Sequence, residues 1–88
     1  MIIMFYVYVL KSQKYRELYT GYTKNLKTRL RDHNAGKSTH TKKYRPWTLV
    51  WYGAFDNEVT ARNFEKYLKT GSGKAFLHKR LIRFEDFQ

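Results

Sequence analysis

The sequence of 88 residues has no cysteine, a single proline, and only seven Asp and Glu against eighteen Lys and Arg. The missing thiols exclude disulfides and thiolate metal centres, so any metal must be held by oxygen or imidazole groups. They leave the redox compartment open. Long hydrophobic runs are absent too. Met1 to Leu10 is apolar but far too short to span a bilayer, and it lacks the basic leader and small-residue cleavage site of a secretory signal. It reads instead as a buried first strand, in a cytoplasmic protein with no membrane role. No internal repeat, low-complexity tract or linker interrupts the chain. Residues 1–88 therefore read as one small domain with room for one modest core.

What is present in excess is positive charge and aromatic surface. The formal net charge is +11, and the basic residues are spread along the chain rather than gathered in a tail, so they belong to the folded body. Aromatic residues make up 18% of the sequence, more than a disordered polycation would carry. Cationic groups interleaved with aromatic rings suit a phosphate backbone with unstacked bases nearby. Nucleic acid is accordingly the expected partner, DNA first and RNA as the alternative.

Patterning along the chain gives the order β-β-α-β-α-α. Residues 2–10 are apolar on both faces, as in a central strand. A polar hairpin loop over 11–16 leads to a short strand over 17–22, within which Gly21 marks a bend or a close approach. Thr23 is the expected N-cap of a helix over 24–35, ended by Asn34 and Gly36. Residues 37–46 form a basic loop closed by Pro46, and 47–55 the third strand. Asp56 or Asn57 caps a second helix running to Thr70, where Gly71 stops it, and Ser72 starts a last helix with Ala75, Phe76, Lys79 and Ile82 along one side. The expected architecture is α+β: a three-stranded antiparallel sheet flanked by three helices.

Five polar residues stand where such a domain would place apolar ones: Tyr8, Tyr19, Arg29, His33 and Glu65. At about 100° per residue, Leu26, Leu30 and His33 share one helix stripe with Arg29 at its border, whereas Lys27, Arg31 and Asp32 face away. The next helix puts Glu65 on a stripe with Ala61, Phe64 and Leu68, which embeds a carboxylate among core positions. A buried unpaired charge is costly, so Glu65 needs either a functional reason or a partner such as Lys69 or Arg29. Taken singly, His33 reads first as a core-edge histidine, and the tyrosines as ordinary strand residues.

Taken in order, Tyr6-Val7-Tyr8, Tyr19-Thr20-Gly21, Arg29, His33 and Glu65 resemble the GIY-YIG nuclease domain, and the similarity extends over nearly the whole chain. It is greatest to the small stand-alone branch of that family. The resemblance implies a GIY-YIG-like fold and an endonuclease in which Tyr19 is the general base, Arg29 steadies the phosphate and Glu65 holds one divalent ion, Mg²⁺ or Mn²⁺. Tyr8 and His33 match positions that shape and assist the site. There are two departures. The first motif lacks the family's opening glycine, and Tyr22 stands where some repair nucleases place a lysine, which leaves open what activates Tyr19.

Phosphodiester hydrolysis builds negative charge on phosphoryl and leaving oxygens, so a guanidinium and a hard cation suit it better than a covalent nucleophile. One carboxylate fits one ion. Tyr22 together with Lys37, Lys42, Lys43 and Arg45 of the basic loop are the expected contacts to the nucleic-acid backbone, which position the substrate without specifying a sequence. A second cationic surface lies on the last helix, around Lys74, Lys79 and Arg83. The expected substrates are repair or recombination intermediates in DNA. Two rival readings are a nucleic-acid-binding module that cuts poorly, acting with a partner protein, and a structural RNA-binding protein.

Overall fold

The computed structural model describes residues 2–83. Three antiparallel strands, β1 (Phe5–Ser12), β2 (Leu18–Thr23) and β3 (Trp47–Phe55), form one sheet in the order β2-β1-β3. Helices α1 (Leu26–Asn34), α2 (Glu58–Leu68) and α3 (Gly71–Phe76) flank it, giving the α+β arrangement and element order anticipated from the patterning. No helix among the described residues is long and apolar enough to cross a membrane.

The central position of β1 follows from its side chains. Val7, Val9 and Leu10 are completely buried, because alternate residues point to opposite faces and both faces are covered. Val7 and Val9 join Ala61, Leu68, Leu77 and Ile82 in a core beneath α2 and α3. Tyr8, Leu10 and Trp47 form a second core on the α1 side, with Tyr19, Leu26, Leu30, Tyr44 and Leu49 against it. The domain thus has two small cores separated by one sheet, not one. On β3 the register slips beside Val9 and Leu10, which face Trp51 and Leu49, so Val50 is an extra residue accommodated in a bulge.

Several element boundaries differ from the sequence reading. β1 starts at Phe5, opposite Phe55 at the end of β3. Ile2 and Ile3, beyond that last pair, are exposed. At its other end β1 runs on to Ser12, whose N–H donates to Glu17 O at 2.9 Å to close a shorter hairpin loop. The α1 N-cap is Asn25, whose side chain accepts from Thr28 N at 3.1 Å, while the Thr23 hydroxyl accepts from Asn25 N and orients the cap. Gly36, with φ +78°, follows the end of α1 in the left-handed conformation that favours glycine.

The C-terminal third shows the largest difference. Gly71 does not stop α2 but opens α3, because the Thr70 hydroxyl accepts from Gly73 N at 3.0 Å and caps the new helix. A wide π turn over Leu77–Leu81 then adds a residue to the turn, so Gly73, Leu77 and Ile82 face inward. Ala75 and Phe76, expected on the apolar side, are exposed.

Candidate active site

The site is built around a buried imidazole. His33 sits on the last turn of α1 facing the sheet, as its helix stripe requires, and is fully buried. Its Nε2 lies 2.8 Å from the Tyr8 hydroxyl and its Nδ1 lies 2.7 Å from the Thr41 hydroxyl. Both ring nitrogens are therefore engaged. Burial, reinforced by the Arg29 guanidinium and only partly opposed by Asp32, pushes the His33 pKa down to about 4. The ring is neutral at physiological pH.

Tyr8 reaches His33 because the strand opposite offers no side chain in the way. Tyr8 pairs with Gly21 across the β1–β2 ladder, and a Cβ on Gly21 would lie 2.4 Å from both the Tyr8 hydroxyl and its ring Cζ. The glycine read from sequence as a close-approach position is the floor on which the tyrosine lies. Burial and the neighbouring Tyr19 push the Tyr8 pKa up to about 12, against the lowering effect of Arg29, with Glu65 adding to the rise. Tyr8 is thus a protonated phenol at neutral pH.

Tyr19, opposite Leu10 on β2, shares this face of the sheet. Its ring centroid is 5.0 Å from that of His33 and 6.3 Å from that of Tyr8. Arg29, half-buried one turn before His33, lies close enough to Tyr8 and His33 for its charge to act on both. Glu65 comes from α2, across the sheet, and its carboxylate is near enough to influence Tyr8. The Glu65 side chain is 18% exposed and its Oε2 receives Lys69 Nζ at 2.7 Å. Of the two partners considered for Glu65, the structure therefore shows the i+4 lysine. All five residues singled out in the sequence converge on one locality.

The residues expected along the nucleic acid are distributed differently. Tyr22 points to the α2 side of the sheet, away from the imidazole. Its hydroxyl donates to Glu58 at 2.7 Å and the Arg62 guanidinium stacks 4.3 Å from its ring. This hydrogen bond holds the Glu58 carboxyl below its ordinary range, while partial burial and the same carboxylate raise the Tyr22 phenol. Lys37 pairs with Asp32 at 3.6 Å, and Arg45 folds back over Gly36. Lys42 and Lys43 are exposed on a 3₁₀ turn, Lys42–Tyr44, within the basic loop.

Two supporting residues were not legible as such. Thr41, buried at the start of that turn, lies in a loop singled out only for its basic residues. Asn34, read as a helix terminator, brackets the backbone of Trp47, accepting from its N–H at 2.6 Å and donating to its carbonyl at 3.1 Å. Only the tertiary structure reveals either role.

The chemistry of the donor set can be weighed against a metal. No group of three or more His, Asp or Glu side chains is gathered among the described residues. One partly buried carboxylate suits a single hard cation that keeps most of its waters, and does not suit a two-ion centre.

Comparison with known proteins identifies the family. A family model described as the GIY-YIG catalytic domain matches residues 4–80. The UPF0213 protein SpyM50708 of Streptococcus pyogenes serotype M5 is 45% identical over 65 residues, covering 73% of this chain and 70% of its own. The UPF0213 protein MGAS10270_Spy1222 of serotype M2 is equally similar, at 45% over 65 residues. Among solved structures, the solution NMR structure of the UPF0213 protein BH0048 from Bacillus halodurans aligns with a TM-score of 0.57 and 28% identity, covering 96% of this chain and 93% of that one.

Proposed function

The chain belongs to the GIY-YIG family, in its small UPF0213 group, and from that membership we propose that it is an endonuclease hydrolysing phosphodiester bonds in DNA with one divalent ion, Mg²⁺ or Mn²⁺. GIY-YIG domains are typical of endonucleases, generally use divalent metals and bind DNA. The observation that carries the reading is the convergence of Tyr8, Tyr19, Arg29, His33 and Glu65 from four separate elements onto one locality.

The roles are those the family resemblance implies for Tyr19, Arg29 and Glu65, and the local chemistry supports them. Hydrolysis requires a proton to leave the attacking water, charge to be stabilised on the phosphoryl oxygens, and the phosphorus–oxygen bond to the leaving group to break. His33, neutral and engaged at both nitrogens, is poorly placed to take the water proton, and Tyr8 is held as a phenol. Tyr19, half-buried on the same face, is left as the base. Arg29 donates to the phosphoryl oxygens, its guanidinium forked to meet two of them. Glu65 is the residue to hold the divalent ion, which when bound supplies Lewis-acid stabilisation of the developing charge. Branched or damaged DNA intermediates of repair or recombination are the proposed substrates, since a domain this small has little surface for reading a long sequence.

The Glu65–Lys69 ion pair favours a second reading, in which the carboxylate only holds α2 together and the protein binds nucleic acid without cutting it. One experiment separates the two. Supercoiled plasmid should be relaxed only with Mg²⁺, and Glu65→Ala should abolish relaxation while leaving DNA affinity near wild type. Tyr19→Phe should lower the rate by at least about 10²-fold, as for loss of a general base. A Glu65→Ala protein that nicks as fast as wild type would remove Glu65 from the mechanism, and wild-type protein that binds the plasmid without relaxing it would leave the binding reading.

A further inference from the structure

A cavity of about 380 Å³ lies against β2, within the range of about 300–1,000 Å³ that small-molecule sites occupy. Leu18, Tyr19 and Thr20 all line it although they point to alternate faces, so it lies across the free edge of the sheet. Leu68 and Leu77 give it an apolar wall, and Lys69 and Lys74 stand beside them. It adjoins the candidate active site twice over. The Tyr19 ring is 5.0 Å from that of His33, and Lys69 holds Glu65.

The strand ladder decides which backbone groups look into this space. Ser12 N donates to Glu17 O at 2.9 Å, which makes Ser12–Glu17 a hydrogen-bonded pair. Such pairs alternate with non-bonded ones in an antiparallel ladder, so Leu10–Tyr19 is bonded, whereas Lys11–Leu18 and Val9–Thr20 are not. Leu18 and Thr20 therefore turn their N–H and C=O groups away from β1, toward the cavity, and no described residue hydrogen-bonds to them. An open edge of this kind is a template for a partner with matching donors and acceptors. An apolar wall, main-chain donors and acceptors, and ammonium groups alongside match the three parts of a nucleotide: a flat ring, its polar edge and a phosphate. A peptide strand would also satisfy the edge, but the charge of +11 and the two lysines favour a polyanion. Lys74 is exposed and pairs with no described acid, and Lys69 keeps two ammonium hydrogens beyond the one it gives to Glu65.

We infer that this cavity is a base-binding subsite for an unpaired nucleotide next to the scissile phosphate. The ring lies on Leu68 and Leu77, its polar edge meets the Leu18 and Thr20 main chain, and the neighbouring phosphate meets Lys69 and Lys74. Its link to cleavage rests on the nuclease reading above. A base stacked and paired in a duplex cannot enter, so the nucleotide beside the cut must be single-stranded or flipped out.

The test is an NMR titration of the ¹⁵N-labelled protein without metal, with the four deoxynucleoside 5′-monophosphates and 2-deoxyribose 5-phosphate as probes. The tightest-binding nucleotide should move the Leu18 and Thr20 amide resonances and bind at least about tenfold more tightly than the base-free sugar phosphate, the worth of one base contact. Lys74→Ala should weaken that binding about fivefold, with the rest of the spectrum unchanged. Thr20→Pro, which removes one outward N–H at an edge position where proline is tolerated, should weaken it by a similar factor. Equal affinity for nucleotide and sugar phosphate would leave only an anion site and overturn the inference. Nucleotide shifts confined to α1 and the basic loop, or no shifts at all, would overturn it too. A neutral extended peptide that moves the Leu18 and Thr20 amides where nucleotides do not would assign the edge to a protein strand instead. Nucleotide binding as expected, with no cleavage of any DNA, would sink the nuclease reading and leave the subsite standing.

Discussion

Lowering the pH from 7.5 to 5 should destabilise the native protein by about 2 kcal/mol through His33 alone. The folded imidazole titrates at about 4, and the unfolded one near 6.5. Between these values the unfolded chain holds a proton that the native state excludes, so stability is complete above 6.5 and is lost as pH falls toward 4. Each pH unit in that window costs about 1.4 kcal/mol, for a total of about 3 kcal/mol once both states are protonated. By pH 5 roughly two-thirds of that is gone. Against a typical domain stability of about 5–15 kcal/mol, the loss is large enough to read from denaturant midpoints. Urea unfolding at half-unit steps from pH 7.5 to 5 would measure it, stopping before carboxylate titration takes over. His33→Gln keeps hydrogen-bonding capacity without a titrating ring and should be less stable overall but flat across the same range. A flat wild-type profile, or an equal slope in the glutamine variant, would refute the burial argument.

Two further outcomes follow from the geometry. Gly21→Ala places a methyl 2.4 Å from the Tyr8 hydroxyl, so it should destabilise the fold by about 1–3 kcal/mol as overpacking does and displace the Tyr8–His33 hydrogen bond, seen as a changed imidazole ¹⁵N spectrum; unaltered stability and spectrum would show that the ring has room to move. Replacing Lys42 and Lys43 with alanine should weaken binding to all DNA sequences alike and reduce the slope of log affinity against log salt by roughly two, at about 0.9 per phosphate contact on duplex DNA. An unchanged slope would move the DNA path to the last helix, around Lys74, Lys79 and Arg83.

The facing of the candidate side chains was more legible in the sequence than the elements' ends. Helical periodicity alone turned His33 toward the sheet and Glu65 onto an apolar stripe, because 3.6-residue spacing is fixed by backbone geometry. The strand alternation on β1 likewise marked it as central. What stayed hidden depends on contacts between distant segments. The competition between Thr23 and Asn25 for the cap is decided by which side chain reaches Thr28, and the restart at Thr70 by a hydroxyl reaching forward to Gly73. The π turn that brings Ile82 inward after Leu77 has no compositional signature. Tyr22 was read from its place after the second motif, yet strand parity sends it to the opposite face, since it pairs with Val7 while Gly21 pairs with Tyr8.

The sheet that separates two cores also divides the candidate residues by origin. Tyr8, Tyr19, Arg29 and His33 belong to the α1 side, whereas Glu65 arrives on α2 from the other. Substitutions along α2 can therefore remove the carboxylate without disturbing the hydrogen-bonded floor where a phosphate would rest. On the proposed mechanism, a lineage carrying this fold would have a short mutational route from cutting nucleic acid to merely holding it, and the reverse route would require restoring a single acid. In a chain of 88 residues, that partition would let turnover be gained or lost while the rest of the fold is inherited unchanged.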